Sequence, residues 1–249
     1  MSHFKFALVL ITSAFFAMPC VADAESTEVT RVLIYGASGR IGGPIVEEAL
    51  SRGYEVTGVS RDPARLEKFA DRIRVEVGDI LDRERTSDLI ASHDAVIVSI
   101  GGKPASQEPS QYIAALAAES LVEVLEQFGE NGPRLIFVGN LFTLEYENGK
   151  TLLELGRVPE THEYYAMFYG HQIALDVFLQ SEGVNWTVAS PPNGLRLEGR
   201  TGKVRWGGDT LLRDPDGTPS AISREDFAYA VLEELESGKY VRKRFNVAR

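Results

Sequence analysis

The chain of 249 residues is 44% hydrophobic and 25% charged, with 23 Gly, 11 Pro, a single Cys and a formal net charge of -10. This composition argues against a disordered, collagen-like, disulfide-stapled or cysteine-ligated metal protein, because each needs a bias absent here. An excess of 36 acids over 26 bases repels nucleic acid and anionic lipid at long range, which argues against a nucleic-acid partner but leaves room for a local basic pocket.

The first residues belong to a different category from the rest. Lys5 precedes an apolar run over residues 6–18, signal-sequence in length and short for a bilayer span, and Ala22-Asp23-Ala24 supplies the small residues of a cleavage site. Residues 1–24 therefore read as a signal peptide, and residues 25–249 as one domain without an integral membrane span. Export to an oxidising compartment such as the periplasm suits a mature chain whose one cysteine, Cys20, leaves with the leader. No twin-arginine pair precedes the apolar run, so export of a folded chain has no support; an uncleaved leader would instead leave the chain cytoplasmic or membrane-anchored.

From residue 31 onward, short apolar runs alternate with helical patterns. Arg31–Tyr35 is a β-branched run closed by glycine, as expected of a strand buried on both faces. Residues 41–51 follow with helical spacing of Ile45, Val46, Ala49 and Leu50. Next come a strand at Glu55–Ser60, a short helix over 63–70, a strand over 73–77 and a helix over 82–91. A buried strand over 95–100, a long helix over 111–128 and a fifth strand over 135–138 complete the regular part. Parallel neighbours need crossover connections, so this alternation predicts an α/β, Rossmann-like doubly wound parallel sheet.

Beyond Gly139 the rhythm loosens. Residues 141–162 have no clear period, 162–181 read as helix, Trp186–Ser190 as strand, Arg224–Ser237 as helix and 244–247 as a last strand. This second half, from residue 140 onward, reads as a small irregular C-terminal substrate lobe over the carboxyl edge of the sheet, where open α/β folds bind ligands.

Gly36-Ala-Ser38-Gly39-Arg40-Ile41-Gly42 lies between the first strand and first helix. Glycine there permits a tight turn and close backbone approach to a pyrophosphate, and the helix N-terminus supplies free N–H groups. The second strand ends about 20 residues later at Ser60-Arg61, where an acidic residue would hold a ribose 2'-hydroxyl. Arg61, helped by Arg40, favours NADP(H) over NAD(H), unless Arg61 is a solvated charge or pairs with Asp62 or Glu67. Asp79 and Ile80 after the third strand are candidates for the adenine edge, Asp79 competing with a role as helix cap. Ser99 and Gly101 after the fourth let backbone approach the ribose. Pro191-Pro192 frames a nicotinamide pocket or merely ends a strand, with Ser190 and Asn193 available to the carboxamide.

With these residues in place, the chain resembles the atypical short-chain dehydrogenase/reductases, specifically the small NAD(P)H-binding group of NADH-flavin reductases, and is similar to biliverdin reductase B. GASGRIGGPIVEEAL, EVTGVSRDP, GDILD, HDAVIVSIG, VNWTVASPP, RTGKVRWGGDTLL and AISREDFAYAVLEELE carry the likeness, which covers nearly all of residues 31–249. The resemblance implies an NAD(P)H-dependent oxidoreductase. One departure matters: the family's Tyr-x-x-x-Lys pair, in which lysine lowers the tyrosine pKa, falls on Met167 and His171. Alcohol and sugar-ketone chemistry is thereby disfavoured. A planar conjugated acceptor of flavin, quinone or tetrapyrrole type tolerates the loss, because its π-system delocalises the hydride's charge.

In the segment HEYYAMFYGH, residues 162–171, aromatics could wall such an acceptor and His162 or His171 could relay a proton near neutral pH. The catalytic candidates are His171, Asn140 at the end of the fifth strand, and Tyr165; core tyrosines and a surface histidine are the competing reading. His162 and His171 with Glu163 and Asp176 make no recognised zinc spacing, and no Gly-x-Ser-x-Gly elbow marks a hydrolase. A non-catalytic NADP-binding or redox-sensing protein, and an isomerase or epimerase that retains its cofactor, are the alternatives.

Overall fold

The structure, a computed structural model, describes residues 31–249 apart from Asn193 and Leu197. The proposed leader, with Cys20, and the Asn193 contact lie outside the described residues. The elements in order are β1 (Arg31–Tyr35), α1 (Gly42–Ser51), β2 (Glu55–Ser60), β3 (Arg74–Val77), α2 (Arg83–Ile90), β4 (Ala95–Val98), α3 (Ile113–Leu125) and β5 (Arg134–Val138). There follow β6 (Glu145–Glu147), β7 (Lys150–Thr151), α4 (Tyr165–Gln180), β8 (Trp186–Ser190), β9 (Arg205–Gly207), α5 (Arg224–Ser237) and β10 (Lys243–Ala248).

Eight strands form one sheet in the order β3-β2-β1-β4-β5-β8-β10-β9. All neighbours are parallel except β9, which runs antiparallel to β10 and closes the edge. This is the Rossmann-like α/β fold the sequence predicts.

Side chains alternate across the central strands, so each strand feeds two apolar layers. Val32, Ile34, Ile97, Ile136 and Phe245 pack with α1 and α5, whereas Leu33, Tyr35, Val98, Phe137 and Val188 pack with α3 and α4. Burial on both faces explains why these strands are nearly continuous apolar runs.

Local chemistry sets the boundaries. The segment read as a short helix is a 3-10 helix over Pro63–Phe69, started by proline and by Asp62, whose side chain accepts from the Ala64 N–H at 3.1 Å. The long helix is shorter than expected, with 3-10 turns at Pro109–Gln111 and Glu126–Phe128 flanking α3. Ser223 caps α5 by accepting from the Asp226 N–H, and left-handed Gly238 ends it.

The segment after β5 does fold, contrary to its lack of period. β6 and β7 form a small hairpin, and Glu145 bridges to Thr210, joining the hairpin to residues 208–213. Arg213 lies 3.9 Å from the Tyr146 ring centroid and donates to the Tyr146 carbonyl. Asp209 accepts from Arg244 at 2.7 Å and fastens this cover to β10.

Candidate functional site

The loop Gly36–Gly42 is built by backbone packing. Gly36 has φ +78°, and a Cβ there would sit 2.0 Å from the Ser99 carbonyl oxygen at the end of β4. A Cβ on Gly42 would lie 2.1 Å from the Gly36 carbonyl oxygen. Neither position admits a side chain without moving backbone. Gly39 donates to the Gly36 carbonyl at 2.9 Å, closing a tight turn directly before α1.

This turn floors a cavity of about 400 Å³ along the carboxyl ends of β1, β2, β3 and β4. Of the expected cofactor residues, Gly36, Ser38, Gly39, Arg61, Asp79, Ile80, Ser99 and Gly101 line it. Arg40, Ile41, Gly42 and Pro191 do not: Arg40 is exposed, Ile41 packs against the core, and Gly42 is buried against Gly36. Pro191 is half-buried beyond the end of β8, on the far side of β5 from this cavity.

The rim toward β2 is basic. Arg61 and Arg65 both line the cavity. Arg61 pairs with neither Asp62 nor Glu67 but approaches Asp79 at 3.9 Å, a loose contact in which the arginine is 77% exposed. Such a pair is worth little and leaves the guanidinium available to an anion. Asp79 does not cap the following helix. Its side chain accepts from the Leu81 N–H at 3.1 Å, and Asp82 takes the cap by accepting from the Arg85 N–H.

None of the catalytic candidates lines this cavity, although His171 packs against Tyr112, which does. His171 on α4 is buried between the Tyr112 and Phe137 rings, 5.7 and 6.4 Å away, and its Nδ1 has no partner. Burial in this apolar setting pushes its pKa down to about 4, so the imidazole is neutral at pH 7 and does not fit the near-neutral proton relay expected of it. An NMR titration should place His171 near 4. The sign for stability follows: between pH 6.5 and about 4 the unfolded chain binds a proton that the folded chain refuses, so stability falls as pH falls across that window.

Asn140 follows β5 and accepts from the Phe142 N–H at 2.9 Å, which fixes its Oδ1 and leaves a buried Nδ2 without a partner. Tyr165 stacks loosely on Tyr169 at 4.4 Å, toward the hairpin side of α4, where burial and the Glu160 charge raise its phenol pKa. The aromatic wall takes another form. Phe142 stacks on Phe168 at 3.8 Å, with the His162 ring 5.5 Å from Phe168.

Known proteins are similar to this chain in sequence and fold. The NAD(P)H-binding family profile matches residues 36–237. The chain belongs to the NAD(P)H-binding family. The Bacillus subtilis (strain 168) protein YwnB is 30% identical over 220 residues, covering 87% of this chain and 97% of its own. A Burkholderia pseudomallei structure called a "putative exported protein" is 29% identical with a TM-score of 0.73, covering 88% of this chain and 100% of that one. A "putative NADH-flavin reductase" from Streptococcus pneumoniae TIGR4 is 26% identical with a TM-score of 0.70, covering 88% and 99%.

The family's nicotinamide dinucleotide fits the loop, since the tight turn that glycine permits at Gly36 and Gly42 brings the backbone of Gly36, Ser38 and Gly39 to the cavity floor. Sequence reasoning missed Arg65, Lys103, Gln111 and Tyr112 on the cavity wall. Arg65 had a signal, a second arginine four residues after Arg61 and inside the segment read as a short helix. Tyr112 had none: its hydroxyl accepts from the Gly102 N–H at 3.2 Å, a contact made by the fold. Among the described residues, no helix is long and apolar enough to cross a membrane.

Proposed function

We propose that the chain is an NADPH-dependent reductase, of the atypical short-chain dehydrogenase/reductase type, acting on a planar conjugated acceptor such as a flavin, quinone or tetrapyrrole. The observation that carries this reading is the glycine turn, held backbone to backbone at Gly36 and Gly42, whose Gly36, Ser38 and Gly39 floor a cavity with two arginines on its rim. The backbone of the glycine turn before α1 holds the pyrophosphate, while Ser99 and Gly101 let the β4 end approach the ribose. Asp79 and Ile80 meet the adenine edge. Residues 25–249 act as one domain, whose C-terminal half both extends the sheet with β8, β10 and β9 and covers the reacting end.

When bound, the nicotinamide supplies a hydride at its C4. The chain's own contribution is alignment and exclusion of water, because Met167 and the neutral His171 replace the family's tyrosine and lysine. The Phe142–Phe168 stack offers a flat apolar wall to an acceptor whose own π-system spreads the arriving charge. The name of the Streptococcus relative supports the flavin end of this range.

Arg61 and Arg65 select NADPH. Replacing either with alanine weakens NADPH binding about tenfold and replacing both about a hundredfold, whereas NADH binding stays within about twofold. Fluorescence titration with both cofactors checks this, and equal losses for the two would contradict it. The acceptor class is tested by NADPH consumption with FMN, a quinone and biliverdin; binding without turnover on all three would favour a sensor instead.

Residues 1–24 direct export to the periplasm, a reading supported by the name of the Burkholderia relative. Sequencing the N-terminus of fractionated protein should begin at Glu25, and an intact Met1 in the cytoplasmic fraction would refute it.

A further inference from the structure

Among the described residues, five buried side-chain atoms have no hydrogen-bond partner: Arg134 Nε, Asn140 Nδ2, His171 Nδ1, Trp186 Nε1 and Ser190 Oγ. Leaving such an atom unpaired costs about 1–3 kcal/mol, so a group of them calls for a reason. Arg134 and Trp186 begin β5 and β8, at the amino edge of the sheet. Asn140 and Ser190 stand at the carboxyl edge of the same two neighbouring strands, where this fold class places its ligands.

His171 reaches that edge from α4. The crossover from β5 to the parallel strand β8 makes α4 run back along the sheet. Phe137 touches both the His171 ring at 6.4 Å and the Phe178 ring at 5.2 Å. His171 lies two helical turns, about 10 Å, from Phe178, which carries it from the level of Phe137 toward that of Gly139. Gly139 shares the face of Phe137, two residues along the strand. A Cβ on Gly139 would lie 3.0 Å from Ser190 Oγ and 2.9 Å from Val188 Cγ1, so the serine hydroxyl faces the same side of the sheet as Gly139 and Phe137. His171 and Ser190, 8% and 0% exposed, thus belong to one layer between the sheet and α4.

We propose that Ser190 Oγ and His171 Nδ1 form a two-donor seat for one carbonyl oxygen, brought either by the cofactor's carboxamide or by the conjugated acceptor. This rests on the reductase reading above. A serine hydroxyl turns its proton toward any acceptor, and a neutral imidazole can carry its proton on Nδ1 and donate it. Two fixed donors in a water-poor layer orient the carbonyl. Where the oxygen is the acceptor's, they also stabilise the negative charge that hydride arrival places on it. Both residues are positioning groups on rigid elements.

The test uses Ser190→Ala and, as a ring-preserving second variant, His171→Phe. Three quantities are measured: the NADPH Kd by fluorescence, the KM for FMN and for menadione, and the Tm of the cofactor-free protein. A roughly tenfold rise in Kd assigns the seat to the carboxamide. A similar rise in acceptor KM at unchanged Kd assigns it to the acceptor. Either result comes with a Tm for Ser190→Ala no lower than wild type, because an unpaired buried hydroxyl contributes nothing to stability when the ligand is absent. The proposal is overturned if neither Kd nor KM moves beyond about twofold, or if Ser190→Ala lowers the Tm, which would make the hydroxyl a structural group bridged by water. A wild-type chain that neither binds nor uses NADPH sinks the reductase reading and the seat together. Normal wild-type turnover matched by both variants sinks the seat alone.

Discussion

Replacing Gly36 with alanine abolishes NADPH binding and lowers stability by about 3 kcal/mol or more. Two costs combine. At φ +78° an L side chain is strained, and its Cβ would lie 2.0 Å from the Ser99 carbonyl oxygen, inside any contact distance. The loop must then leave the end of β4, which removes the floor of the cavity. Gly53 separates the two costs, since it has φ +82° with nothing within 4 Å of its Cβ position. Gly53→Ala should cost about 1 kcal/mol and leave cofactor binding intact. Urea melts of both variants with an NADPH titration check this pair, and equal losses would show that the approach of β1 to β4 is not the decisive contact.

Removing the Asp226 carboxylate has a comparable effect for a different reason. The side chain is fully buried at the start of α5. Its Oδ1 accepts from the Thr201 and Gly202 N–H groups at 2.7 and 2.9 Å, and its Oδ2 accepts from Arg249 Nη2 at 2.6 Å. Arg249 in turn reaches the Glu198 and Gly199 carbonyls, so one carboxylate joins the loop over residues 198–202, α5 and the last residue of the chain. Asp226→Ala strands a partly buried guanidinium and two N–H donors, a loss of about 3–5 kcal/mol by urea denaturation. A loss below about 1 kcal/mol would mean that water replaces the carboxylate at no cost.

The same group predicts an acid limb. Burial alone would raise the Asp226 pKa, but the bonds from Arg249, Gly202 and Thr201 outweigh it and hold the carboxyl below its ordinary value of 3.8. A depressed carboxyl pKa gives stability that is complete above the unfolded value and lost as pH falls through the folded one. Wild type should therefore lose more stability than Asp226→Ala on going below pH 3.8.

The parallel core was legible because burial on both faces writes itself into consecutive residues: RVLIY, AVIV and WTVAS need no distant partner to be recognised. The hairpin of β6 and β7 and the edge strand β9 were not legible. Their strands span two or three residues, too few for a period, and long-range contacts hold them, Glu145 to Thr210 and Arg205 beside Ala248. In the site, the glycine loop was readable because its chemistry is local. The expected cap at Asp79 failed by three residues, since the Asx turn at Leu81 and the cap at Arg85 use different aspartates. His171 was legible from the place of the family's Tyr-x-x-x-Lys pair, yet its burial between Tyr112 and Phe137 reverses the chemistry its residue type suggested.

The most direct test of the reductase reading follows deuterium from NADPH labelled at the nicotinamide C4 in a single turnover with FMN or menadione. The account predicts stoichiometric oxidation of the cofactor, a primary isotope effect on its rate, and loss of that rate in Gly36→Ala. Cofactor that stays bound and unoxidised with every acceptor, label intact, would contradict it and favour a protein that holds its dinucleotide without spending it.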